Sequence, residues 1–173
     1  MANATGNILS KLIFLVLIGA ALFGAKIMVF DDMIRAKKLS EAKTAVTQLV
    51  DKNEYEEALT VCDKFEKTYP KEKKFCNGRR AAIYIKWADA SYEKMMEAER
   101  SRSKASRAKD KARYRKYDSQ MKKYGQTALA ALDNLEECED ISKRQQQYRV
   151  IIYGALGDHK RARAESKRHA QMD

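Results

Sequence analysis

A single proline, Pro70, interrupts the 173 residues. Proline breaks helices because it lacks the backbone donor and collides with the preceding turn. On either side of position 70 the chain is therefore free to run as long helices. The composition uses that freedom, with only seven glycines and an abundance of Ala, Leu, Lys, Glu and Arg, the strongest helix formers. No stretch shows the sustained polar–apolar alternation with turn dipeptides that marks strands. The expected fold class is all-α: an N-terminal transmembrane helix, then antiparallel helix pairs with one long central hairpin.

The transmembrane expectation rests on "NILSKLIFLVLIGAALFGAKIMVFDD", residues 7–32. Residues 12–25 carry no charge, and extending the window to 12–30 takes in only Lys26. Nineteen residues at about 1.5 Å each reach about 28 Å, close to the hydrocarbon thickness of a bilayer. A lysine near the end of such a span can snorkel. A cleavable signal peptide, with small residues at Gly19–Ala21, is the rival. The apolar run continues through Leu22–Ala25 and resumes at Ile27–Phe30, which favours a retained anchor. Residues 1–32 are thus assigned to a single-pass anchor and 33–173 to a helical domain. Lys26, Arg35, Lys37 and Lys38 place the domain on the cytoplasmic side by the positive-inside rule. Asp31, Asp32 and the short N-terminal tail argue for the opposite side, which stays open.

The domain begins with a legible unit. In "NEYEEALTVCDKFEKTYP", residues 53–70, Ala58 is small enough for two helix backbones to approach, and Cys62 and Phe65 follow on the same face. Tyr55 opens that helix and Pro70 closes it. Upstream, Ala42, Ala45, Val46 and Leu49 recur at i, i+3, i+4 and i+7, an amphipathic stripe for the preceding helix. This arrangement over 39–72 resembles a tetratricopeptide repeat, a 34-residue helix–turn–helix unit. It departs from that pattern where Ala42 stands in place of a large aromatic at the head of the first helix. A fainter echo lies at 141–173, with Tyr153, Gly157 at a turn and Ala162 at the small-residue position. Ala58 and Ala162 are 104 residues apart, close to three periods, so the resemblance implies about four helix pairs and a protein-binding array.

Between the two echoes, over 73–140, the pattern changes to heptads. Ala81, Tyr84, Ala88, Ser91, Met95 and Ala98 form one seam; Tyr114, Tyr117, Met121, Tyr124, Ala128, Ala131, Leu135 and Cys138 form the other. Two such helices joined by a short polar stretch predict a hairpin, its first arm at 73–100.

Residues 99–123 carry eleven Lys or Arg against three Asp or Glu, and eleven minus three is +8 of the chain's net +11. The bases are Arg100, Arg102, Lys104, Arg107, Lys109, Lys111, Arg113, Arg115 and Lys116, with Lys122 and Lys123 beyond. A solvated helix face mixes signs, so charge of one sign at a predicted hairpin tip points to a negative partner. An acidic protein surface, anionic lipid and nucleic acid all meet that description. Tyr114 and Tyr117 interleave with the bases as a stacking platform would, but their place on the heptad seam assigns them to the core and makes nucleic acid the least favoured.

No signal for catalysis stands beside this. His159 and His169 lack a carboxylate pair, and no phosphate loop, nucleophile elbow or Cys-x-x-Cys occurs. Cys62, Cys76 and Cys138 are too scattered for a zinc site; a Cys62–Cys76 bridge is open if the domain meets an oxidising compartment. The expectation is a non-catalytic scaffold or accessory subunit of a membrane protein complex, without metal or cofactor.

Overall fold

The computed structural model describes residues 32–172. The expected span, 12–30, lies outside them, and among the described residues no helix is long and apolar enough to cross a membrane. The described residues are helical, with no strand. The chain divides into two compact units, residues 1–44 and 45–173. In the first, residues 32–44 are helical, with ion pairs Arg35–Asp32 at 3.4 Å and Lys38–Glu41 at 2.9 Å. Met33 and Ile34 are exposed, and Ala42 is half-buried.

The helix over 32–51 (α1) ends in the second unit, where it is followed by α2 (Tyr55–Thr68), a 3-10 turn (Pro70–Glu72), α3 (Lys73–Arg107), α4 (Lys111–Glu136), α5 (Lys143–Ala155) and α6 (His159–Ala170). Three of the connections are built alike. Asn53, Lys109 and Gly157 have φ of 62°, 55° and 82°. In each case the next residue's N–H reaches back five positions, Glu54 to Leu49, Asp110 to Ala105 and Asp158 to Tyr153. That is the Schellman ending, in which one left-handed residue satisfies the last carbonyls of a helix. Asp110 and Asp158 then cap the following helix, accepting from the N–H of Arg113 and Arg161. The turns thus divide the helices into three pairs, α1–α2, α3–α4 and α5–α6. The interval in which the 34-residue period implies two pairs is spent on one long one.

Ala58 has no exposure and sits in a cluster with Val46, Tyr55, Cys62 and Ile83. Tyr55 stacks on Trp87 at 5.5 Å and its hydroxyl donates to Asn53 Oδ1. Phe65 is buried against Tyr69 and Phe75. Ala45 and Leu49 are half-buried, and Pro70 is exposed as the first residue of the 3-10 turn. Arg80 fastens α3 to α2 through Asp63 and Glu66, at 2.7 and 2.6 Å.

The α3–α4 hairpin is antiparallel: Arg102 meets Asp118, Met95 lies at Gly125, and Lys94 lies over Tyr124. Its seam buries Ala81, Ala88, Ser91, Met95 and Ala98 against Met121, Ala128, Ala131 and Leu135. Tyr84, Tyr124 and Cys138 are half-buried beside it. The seam fails at its far end, where Tyr114 is 38 % exposed. From Ala98 to Arg107 the opposing helix offers no apolar residue larger than alanine, too little to cover the ring fully.

At Gly125 a Cβ would stand 3.2 Å from both Met95 and Ile152, so α3 and α5 both approach α4 closely at this glycine. Tyr148 of α5 stacks on Tyr92 at 4.0 Å. Arg149, 3 % exposed, reaches Asp133 and Glu136 of α4, both at 2.7 Å. In the last pair Tyr153 and Ala162 are half-buried, and Gln146 donates to Glu165.

Candidate functional site

The far end of the hairpin concentrates the charge, and the local fold explains why it stays available. Helix α3 runs on through Arg107, so Arg100, Arg102, Lys104 and Arg107 project from its last two turns rather than from a loop. The turn is only three residues, 108–110, and α4 resumes with Lys111, Arg113, Arg115 and Lys116. The expected first arm, ending at residue 100, is seven residues too short. All the bases but Lys109, which sits in the turn, occupy the ends of the two helices.

Two of the three acids in this region, Asp110 and Asp118, are already engaged. Asp110 accepts from the Arg113 N–H at 3.0 Å and pairs with its guanidinium at 3.3 Å. Asp118 bridges Lys122 at 2.8 Å and Arg102 at 3.0 Å. Hydrogen bonds from Lys122 and Arg102 hold the Asp118 carboxyl below the usual range. Of the nine residues predicted to form the basic tip, Arg102 and Arg113 are therefore spent within the fold. Arg100, Lys104, Arg107, Lys109, Lys111, Arg115 and Lys116 are exposed and have no acid partner; Lys116 lies 6.0 Å from the Tyr117 ring centre.

Two shallow depressions flank the turn. One is lined by Ser106, Lys109, Lys111, Tyr114 and Arg115, the other by Ser101, Lys104, Arg113 and Tyr117, and Asp110 borders both. Each sets a tyrosine among cations. Ala105 floors both and is 5 % exposed, so this position belongs to the helix contact and not to an open loop.

The other chemistry-bearing residues are dispersed. The three cysteines are free thiols; burial, with Cys76 nearby, pushes Cys62 up to about 11, where little reactive thiolate exists at neutral pH. Among the described residues no three His, Cys, Asp or Glu side chains are grouped to hold a metal ion. Sequence reasoning missed two features. One is the Lys109–Asp110 turn, because lysine does not advertise a left-handed backbone; the aspartate cap was the available signal. The other is the buried Arg149, for which i−3 and i−4 charge patterns give no warning across a loop.

The chain matches no protein-family model, no curated protein and no solved structure.

Proposed function

We propose that this chain is a non-catalytic, membrane-tethered scaffold of tetratricopeptide-like helix pairs, which holds an acidic surface of a partner protein on the end of its long hairpin. It serves as an accessory or assembly subunit of a membrane protein complex. The observation that carries the reading is the set of seven exposed bases on two helix ends and the three-residue turn between them, with Asp110 and Asp118 already paired. Rigid presentation lowers the ordering cost of binding, and charge of one sign steers an oppositely charged partner. The three like-built turns support the helix-pair array, and residues 12–30 supply the tether.

A second reading is favoured by the exposure of Tyr114. An uncovered ring among lysines and arginines suits single-stranded nucleic acid. Anionic lipid is the third negative surface open to the same bases.

The test is co-purification of the full chain in mild detergent, with recovered proteins identified by mass spectrometry and re-bound in purified form. The expected partner binds wild type and is lost on changing Lys104, Arg107, Lys109, Lys111 and Arg115 to Gln. A variant that keeps the protein partner but loses an oligonucleotide or anionic vesicles would replace the scaffold reading with the adaptor one.

A further inference from the structure

A second cationic face stands on α6, apart from the hairpin. Its charged residues are sorted by side. Glu165 points toward α5, where Gln146 donates to its carboxylate Oε2 and to its backbone oxygen. Arg168 is paired with Glu165, and Arg161 with Asp158. On the opposite side Lys160, Arg163 and Lys167 recur at i, i+3 and i+7, all exposed and without an acid partner. Ala164 lies between them, and no acidic residue shares the face. The helix buries nothing on that side.

The chemistry of this face selects among negative partners. A specific protein interface needs an apolar or aromatic anchor at its centre, and α6 contains no apolar side chain larger than alanine. Recognition of single-stranded nucleic acid uses aromatic stacking, and α6 has no aromatic ring other than its two histidines. A second copy of the chain would present the same charge and repel. A plane of anionic headgroups requires none of these features; it asks only for basic side chains in a row at its surface.

We propose that the Lys160–Arg163–Lys167 face of α6 docks on anionic lipid headgroups. The choice of lipid rests on the membrane tether proposed above, which keeps a bilayer at hand, and on the cytoplasmic orientation that its flanking bases favour, the side on which the anionic leaflet lies. Each base near such a surface strengthens binding about fivefold, so three together give about a hundredfold preference for the docked state.

The experiment uses the full chain in lipid nanodiscs, zwitterionic or containing phosphatidylserine, and reads hydrogen exchange over residues 159–170. Exchange there should slow about tenfold or more in anionic discs only. The Lys160→Gln, Arg163→Gln, Lys167→Gln variant should lose the slowing, and the five-Gln hairpin variant should keep it. Equal exchange in both discs, or slowing that survives the α6 substitutions, would overturn the proposal. So would slowing produced by polyglutamate or an oligonucleotide but by neither disc. A chain recovered outside the discs would refute the tether alone. The α6 face is then read by sedimentation with added vesicles: binding to the anionic ones only supports docking, and binding to neither contradicts it.

Discussion

Arg102 and Asp118 meet at 3.0 Å across the hairpin, sixteen residues apart in sequence. The pair fixes the register of α3 against α4 just below the turn, and it removes one base from the surface that the others leave open. Because Asp118 also holds Lys122, its carboxyl is more acidic in the folded chain than in the unfolded one. A depressed folded pKa contributes stability that is present above the unfolded value, about 3.9, and is lost as pH falls through the folded value. The melting temperature of wild type should therefore exceed that of Asp118→Asn at pH 6, and the gap should close as pH falls below about 4. A constant gap would remove Asp118 as the source of that pH dependence.

Ala58 tests the close approach of the first helix pair. It is fully buried among Val46, Tyr55, Cys62 and Ile83, so Ala58→Leu should cost roughly 1–3 kcal/mol in chemical denaturation. Ala112 is exposed near the start of α4, and Ala112→Leu should be nearly neutral. An equal loss at both positions would contradict the packing described for α2.

Arg149 predicts an asymmetry. It is buried, whereas the side chains of its partners Asp133 and Glu136 are 63 % and 50 % exposed. Removing the arginine leaves two carboxylates that water can reach, and Arg149→Met should cost about 1–2 kcal/mol. Removing both acids strands a buried charge, whose Nε already lacks a partner. Asp133→Asn with Glu136→Gln should cost about 3–5 kcal/mol. The reverse order in urea titrations would mean that Arg149 is solvated by another route.

The turns give a paired prediction of opposite sign. Gly157 and Lys109 occupy the same left-handed position in like-built turns, which costs a residue with a Cβ about 1 kcal/mol relative to glycine. Gly157→Ala should lower stability by about that amount, and Lys109→Gly should raise it by a similar amount. Calorimetry showing the same sign for both would contradict the common geometry.

These residues also mark what the sequence makes legible. Spacing finds the hairpin seam because burial follows the helical period wherever an apolar partner stands opposite, as at Met121, Ala128 and Leu135. It misplaces Tyr114, because the pattern of one helix cannot reveal that its neighbour has run out of apolar side chains. Asn53 and Gly157 announce their turns through residues that favour positive φ, while Lys109 hides the third. The basic cluster is plain in composition. Which members are free is not fully so, since Arg102 is spent on Asp118, an acid sixteen residues away that only the fold brings into reach. Arg149 lies beyond sequence reasoning because a buried arginine is intelligible only with its partners from another helix.

The central claim is that the free bases at the hairpin end bind a partner and do not hold the fold. It is tested most directly by measuring, on wild type and on the Lys104, Arg107, Lys109, Lys111 and Arg115→Gln variant, the thermal melt and the affinity for the purified partner protein at two salt concentrations. Superimposable melts, weaker binding and a shallower salt dependence are expected of the variant, since exposed charges contribute little to folding but are screened when they bind. A variant that melts far below wild type, or that binds with the same affinity and the same salt dependence, would contradict it.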